Sequence, residues 1–187
     1  MARSSKRSAT EPTPGSLADL QAEADPRAVA RSVVLRRLSS TARTRKDLHD
    51  DLLKREIPEA IADEVLDRFT ELGLINDSDY AELFVASRRR SRGTARPVLR
   101  QELRRKGVGD DEIHAALEDI SDEDEFERAR ALVLSRHPSL ARFDAATKQR
   151  RLMSLLMRRG YSGSVAASVV REVVQSEVDL TELALGD

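Results

Sequence analysis

The chain has 187 residues, 40% hydrophobic and 35% charged, with a formal net charge of −1 and no cysteine. The near-zero balance removes any argument for nucleic-acid binding from bulk charge, and the missing cysteines exclude disulfides and thiolate metal sites. Aromatic residues make up only 3% and Trp is absent, which disfavours a β-sandwich and makes helices closed by Leu, Val and Ala the expected class.

Residues 1–25, opening MARSSKRSATEPTPGS, lack the apolar core of a signal peptide and are expected to form a disordered tail. A first helix is predicted over Pro26 to Leu38, with Val29, Val33, Val34 and Leu38 on one face and Asp25 placed to cap it. A second, about Arg45 to Lys54, carries Leu48 and Leu52, and a third opens at Pro58 and closes at Gly73. A new helix starts near Asp77 with Tyr80, Ala81 and Phe84 inward and breaks at Gly93 and Thr94. Pro97 opens a short helix with Leu99 and Leu103, and Asp110 or Asp111 starts the next, to about Ile120. Phe126, Ala129 and Val133 mark another helix, followed by a loop through HPSLARF. Two more then carry Leu152, Leu155 and Leu156, and Val165, Val169 and Val170. Beyond Val174 a tail is expected.

These elements repeat. Anchored on Ile57, Val108 and Tyr161, three copies lie 51 and 53 residues apart. Five positions before each anchor stand Leu52, Leu103 and Leu156, and nine before stand Leu48, Leu99 and Leu152. Five after come Ala62, Ile113 and Ala166, and nine after come Leu66, Leu117 and Val170. The expected fold is therefore all-α: three tandem three-helix repeats at 26–76, 77–120 and 121–174 in an elongated or curved array, with a C-terminal tail at 175–187. Units of about fifty residues bury little surface alone, so neighbours or a partner must supply the rest.

Charge is unevenly spread. Residues 88–106 hold nine Lys or Arg and one acid, Glu102, whereas residues 109–127 hold ten acids and no Lys or Arg. Arg88, Arg89 and Arg90 suit a helix C-terminus, and Glu102 is spaced to pair with Lys106. Arg92 and Arg96 flank a hinge at Gly93, and Arg100 and Arg104 share a helix face with no acid expected to satisfy them. Guanidinium forks of this kind suit phosphate or carboxylate partners. Arg43, Arg45, Lys46, Lys54 and Arg55 repeat the theme in copy one, and Lys148, Arg150, Arg151, Arg158 and Arg159 do so in copy three. Stacked in register, the clusters would form a basic ribbon toward an anionic partner. Few aromatics interleave with these charges, which argues against base stacking.

Enzyme chemistry finds little support. His49, His114 and His137 fall on different copies, and the acids Asp50 and Asp51 beside His49 do not face it on a helix. The DEDE run at 122–125 is explained by a helix N-terminus without a metal. No metal site, cofactor or catalytic residue is expected, and no run of 18 apolar residues exists to span a membrane. A cytoplasmic address is the expectation.

The segment ELGLINDSDYAELFVASRRRSRG resembles the signature of the RecX family of bacterial recombinase regulators. The match runs through Gly73, Leu74, Ile75, Asn76, Asp77, Tyr80, Ala81, Phe84, Val85, Ser87, Arg88 and Gly93, and on to Glu102, Leu103, Lys106, Gly107 and Val108. The third copy's Leu156 to Ser162, LMRRGYS, is similar to the family's closing motif, and TARPV departs from it, where a second glycine and a proline nearer Gly93 are usual. The resemblance implies three tandem three-helix repeats and a monomeric, non-enzymatic regulator. Such a protein binds the RecA nucleoprotein filament and restrains ATP hydrolysis, coprotease activity and strand exchange. It also implies that Arg88, Arg92, Arg96, Arg100, Arg104 and Lys106, with Lys148, Arg150, Arg151, Arg158 and Arg159, meet acidic recombinase surface or the phosphates of single- or double-stranded DNA. Tyr80 and Phe84 are expected in the core. The alternative is an autonomous helical DNA-binding protein with helix-turn-helix-like units; a hydrolase using Asp122 and Asp124 ranks third.

Overall fold

A computed structural model describes the backbone of residues 25–185 and the side chains of residues 25–175. The described residues form nine α-helices, one 3-10 turn and no strand. The helices are α1 (Pro26–Leu38), α2 (Arg45–Leu53), α3 (Glu59–Glu71), α4 (Asp77–Arg92), α5 (Arg96–Arg105), α6 (Asp110–Glu118), α7 (Asp122–Arg136), α8 (Ala145–Arg159) and α9 (Gly163–Leu185). The 3-10 turn is His137–Leu140. The expected N-terminal tail falls almost wholly outside the described residues. At the other end α9 runs without a break to Leu185, into the stretch expected as a tail; no Gly or Pro lies between Val165 and Leu185 to stop it.

The repeat register places the core. Leu48, Leu52, Leu99, Leu103, Leu152 and Leu156 are all fully buried, and the anchors Ile57, Val108 and Tyr161 are buried beside them. Three separate clusters result. One gathers Ala30, Val34, Leu48, Leu52, Leu66 and Phe69 of the first repeat. A second holds Ala81, Val85, Leu99, Leu103, Ile113 and Leu117, with Tyr80 and Phe84 stacked on each other at its edge, ring centroids 5.9 Å apart. The third holds Ala129, Val133, Leu152, Leu156, Val169 and Val170. Each buried Leu contributes roughly 1.5–3 kcal/mol of transfer free energy, so the i, i+4 leucine pair of each middle helix is the largest aliphatic element of its cluster.

The middle helix of every repeat ends in the same way. Glu56, Gly107 and Gly160 all adopt positive φ, at 60°, 78° and 91°. The N–H of the following anchor then reaches back to the carbonyl of the second leucine: Ile57 to Leu52 (3.3 Å), Val108 to Leu103 (3.2 Å) and Tyr161 to Leu156 (3.2 Å). This six-residue closure satisfies an otherwise orphaned carbonyl and turns the apolar anchor inward. Copy one places a glutamate where the others have glycine, and the left-handed conformation costs a residue with a Cβ about 1–2 kcal/mol.

The described chain divides into two compact units. One comprises the residues up to Arg43 with Asp47–Ile75, and the other comprises Thr44–Lys46 with Asn76 onward. The second and third repeats therefore belong to one unit. Substituting Glu56→Gly should stabilise the first repeat by about 1 kcal/mol, read as roughly fivefold slower hydrogen exchange of its buried amides. Unchanged exchange would show that Glu56 gains as much from its surroundings as it loses in backbone strain.

Candidate electropositive surface

The joint between the second and third repeats fixes where the cations go. Helix α4 ends at Gly93 in the left-handed region (φ 57°). A Cβ there would stand 2.6 Å from Leu132 Cδ1, and the Gly93 carbonyl accepts a hydrogen bond from the buried Tyr161 hydroxyl (3.0 Å). The expected hinge at Gly93 is thus a packed joint. TARPV follows: Thr94 and Ala95 are buried, and Ala95 sits in the core cluster of the third repeat. Its N–H donates to the Arg159 carbonyl (2.9 Å). Gly160 is pressed so close that a Cβ would meet Val98 Cγ2 at 2.6 Å.

Arg96 completes the joint. Its backbone N–H donates to Glu125 Oε1 (2.6 Å), and its Nη1 to the Ile120 carbonyl (2.9 Å). Its Nη2 bonds Asp122 Oδ1, and its Nε lies 3.4 Å from Glu125 Oε2. The hydrogen bond that the guanidinium donates to Asp122 raises its pKa above the ordinary value, against the opposing effect of burial. The side chain is two-thirds covered and that of Glu125 is only 12% exposed. The absence of acids around Arg96, expected from the sequence, is therefore corrected: acids 26 and 29 positions downstream return to it. Asp124, in the same acidic run, closes a capping box with Ser121. The DEDE run thus serves helix capping and Arg96.

Other expected site residues are also held within the fold. Arg104 Nε bonds Asp110 Oδ1 (2.8 Å), again contrary to the expectation of no nearby acid. Glu102 accepts from Arg88 Nε (2.9 Å) where Lys106 was the expected partner; the ring of Phe84 lies under the Arg88 guanidinium, 4.8 Å away. Four residues of sequence separate Glu102 from Lys106, but Arg88 comes from the neighbouring helix. Lys106 is the C-cap of α5, and Lys148 lies half-buried in the first turn of α8. Arg100 is half-buried on α5.

The remaining cations converge. A hollow of about 570 Å³ is lined by Arg136, Arg150, Arg151, Arg158 and Arg159, with Leu132, Leu140 and Leu155 and the hydroxyls of Ser135 and Ser154. A smaller one of about 180 Å³ is lined by Arg89, Arg90, Arg92 and Arg128. Leu132 and Ser135 border both, so the two adjoin across α7, and among the described residues no acid lines either. The guanidinium of Arg151 stacks on Phe143, 3.9 Å from the ring centroid, which fixes its plane at low entropic cost. Of the residues expected from sequence, the structure brings together Arg92, Arg150, Arg151, Arg158 and Arg159. Arg89, Arg90, Arg128 and Arg136 join them unanticipated. For α7 the signal was present: Arg128, Leu132, Ser135 and Arg136 recur at i, i+4, i+7 and i+8, one helix face.

Tyr161 reports on this joint. Burial, with the nearby Glu125 charge, pushes its phenol up to about 12, against the pull of Arg89, Arg128 and Arg159. A raised pKa means that the neutral phenol is favoured by folding. Its contribution is whole below pH about 10 and lost as pH rises toward 12.

The fold and surface define a class: a three-repeat helical protein with an arginine-lined concavity on its second and third repeats. Family profiles described as the first, second and third three-helix domains of RecX match residues 30–69, 76–117 and 122–170. The regulatory protein RecX of Streptomyces lividans is 46% identical over 163 residues, covering 87% of this chain and 86% of that one. That of Mycolicibacterium smegmatis is 40% identical over 172 residues, covering 88% and 91%. The crystal structure of RecX from Lactobacillus salivarius superposes with a TM-score of 0.69 at 26% identity, over 79% of this chain and 96% of that one. The chain belongs to the RecX family of regulatory proteins. Its relatives carry the name of a regulator, not of an enzyme, and no helix among the described residues is long and apolar enough to cross a membrane.

Titration of tyrosine absorbance should show a late phase near pH 12 that vanishes in Tyr161→Phe. That variant also loses about 1 kcal/mol with the bond to Gly93. A wild-type titration without the late phase would contradict the buried, hydrogen-bonded phenol.

Proposed function

We propose that this chain binds the RecA nucleoprotein filament and restrains its ATP hydrolysis, coprotease activity and strand exchange, with the adjoining arginine hollows as its grip. The observation that carries the reading is the pair of hollows lined by nine arginines and no acid among the described residues. Such a concavity concentrates anions, and guanidinium groups meet phosphate or carboxylate through two parallel hydrogen bonds. The chain's overall charge is −1, so the attraction is local and directional. Membership of a family named as regulators supports a binding role over an enzymatic one.

The grip differs from a plain basic helix face. Leu132, Leu140 and Leu155 line the larger hollow beside its arginines, so a ligand there meets apolar surface as well as charge. Arg88, Arg96 and Arg104 act through the fold, because each is engaged by an internal carboxylate.

The test is a titration of RecA ATPase on single-stranded DNA with wild type and with Arg150→Glu/Arg158→Glu. Wild type should lower turnover at substoichiometric amounts. The double variant should keep full helicity and require at least about tenfold more protein for the same inhibition. Equal inhibition by the variant would place the grip elsewhere. Tight, sequence-selective duplex binding without recombinase would favour an autonomous DNA-binding protein.

A further inference from the structure

Within the first repeat, His49 of α2 meets two carboxylates of α3. Glu59 and Asp63 stand four residues apart on one helix face, and one ligand atom from each of the three residues lies within 4.8 Å of the others. His49 Nε2 is 3.7 Å from Asp63 Oδ1, with the imidazole mostly covered and the carboxylate open to solvent. The acids beside His49 in sequence do not face it; those of the next helix do.

We propose that His49, Glu59 and Asp63 bind one divalent transition-metal ion, Zn²⁺ being the best fit, which clips α2 to α3. Metal–ligand bonds of about 2.0–2.2 Å place neighbouring ligand atoms roughly 3.0–3.5 Å apart. The separations present therefore close by small side-chain rotations, without backbone movement. One imidazole and two carboxylates select Zn²⁺, Ni²⁺ or Cu²⁺ over Mg²⁺, which prefers oxygen ligands and keeps its water. Water completes the shell on the exposed side.

Two features give such a clip an effect. Glu59 and Asp63 are like charges one turn apart, which repel, and a shared cation removes that cost. The unit they belong to rests on a single small cluster of buried residues, and the chain has no cysteine with which to cross-link it. Small units of this size gain markedly from a metal.

Calorimetric titration of ZnCl₂ into the EDTA-stripped full chain at about pH 7.5 tests the proposal. The expected result is one ion per chain with a dissociation constant below about 100 μM. Affinity should fall at least about tenfold in His49→Gln and in Asp63→Asn, and remain unchanged in His114→Gln. Melting of wild type should rise with Zn²⁺ and not with Mg²⁺. Glu59 opens α3 at an exposed position, so Glu59→Gln keeps the fold and supplies the same loss should His49→Gln unfold. Undetectable heat, or binding as tight in His49→Gln and Glu59→Gln as in wild type, overturns it.

Discussion

The seat of one guanidinium organises the larger unit. Arg96 opens α5, yet everything it bonds lies at the end of α6 and the start of α7: the Ile120 carbonyl, Asp122 and Glu125. Charge-assisted bonds of this kind contribute about 1.5–3 kcal/mol each when made, and removing one partner leaves a nearly buried Glu125 without its counter-charge. The same joint is closely packed elsewhere: Gly93 against Leu132, Gly160 against Val98 and the Tyr161 hydroxyl on the Gly93 carbonyl. The second and third repeats are consequently held in one register, and that register brings the C-terminus of α4 to the arginine face of α7.

The concavity follows from this arrangement. Arg89, Arg90 and Arg92 come from the last turn of α4, Arg128 and Arg136 from α7, and Arg150, Arg151, Arg158 and Arg159 from α8. No single helix presents more than part of it. A cation that ends a helix is stabilised by the macrodipole wherever it points, but only the joint makes these ends converge. Within the second and third repeats, Arg88, Arg96 and Arg104 are each paired with a carboxylate of the chain, and nine other arginines line the two hollows.

How much of this was legible in the sequence depends on the range of the interaction. The leucine pairs and anchors of the three repeats were legible because helix periodicity and a spacing near fifty residues are local or internally repeated signals. The turns at Glu56, Gly107 and Gly160 were legible from the repeat, though the left-handed conformation was signalled only by the two glycines. Partners of the arginines were not legible. An i, i+4 rule assigns Glu102 to Lys106, whereas tertiary packing delivers Arg88 from another helix, and it cannot foresee Asp122 returning to Arg96. Arg92 ends one helix and Arg96 begins another, in keeping with the break expected at Gly93 and Thr94. Arg128 and Arg136 share a face of α7 with Leu132, behind an acidic run that opens the same helix.

Native-state hydrogen exchange of wild type against Arg96→Gln tests the central claim most directly. If Arg96 holds the second and third repeats as one body, buried amides of α5 and α7 share one opening free energy in wild type. In the variant both should then exchange on the order of thirtyfold faster, a loss of about 2 kcal/mol, with the helical content kept. Exchange rates unchanged on both sides of the joint would contradict the account.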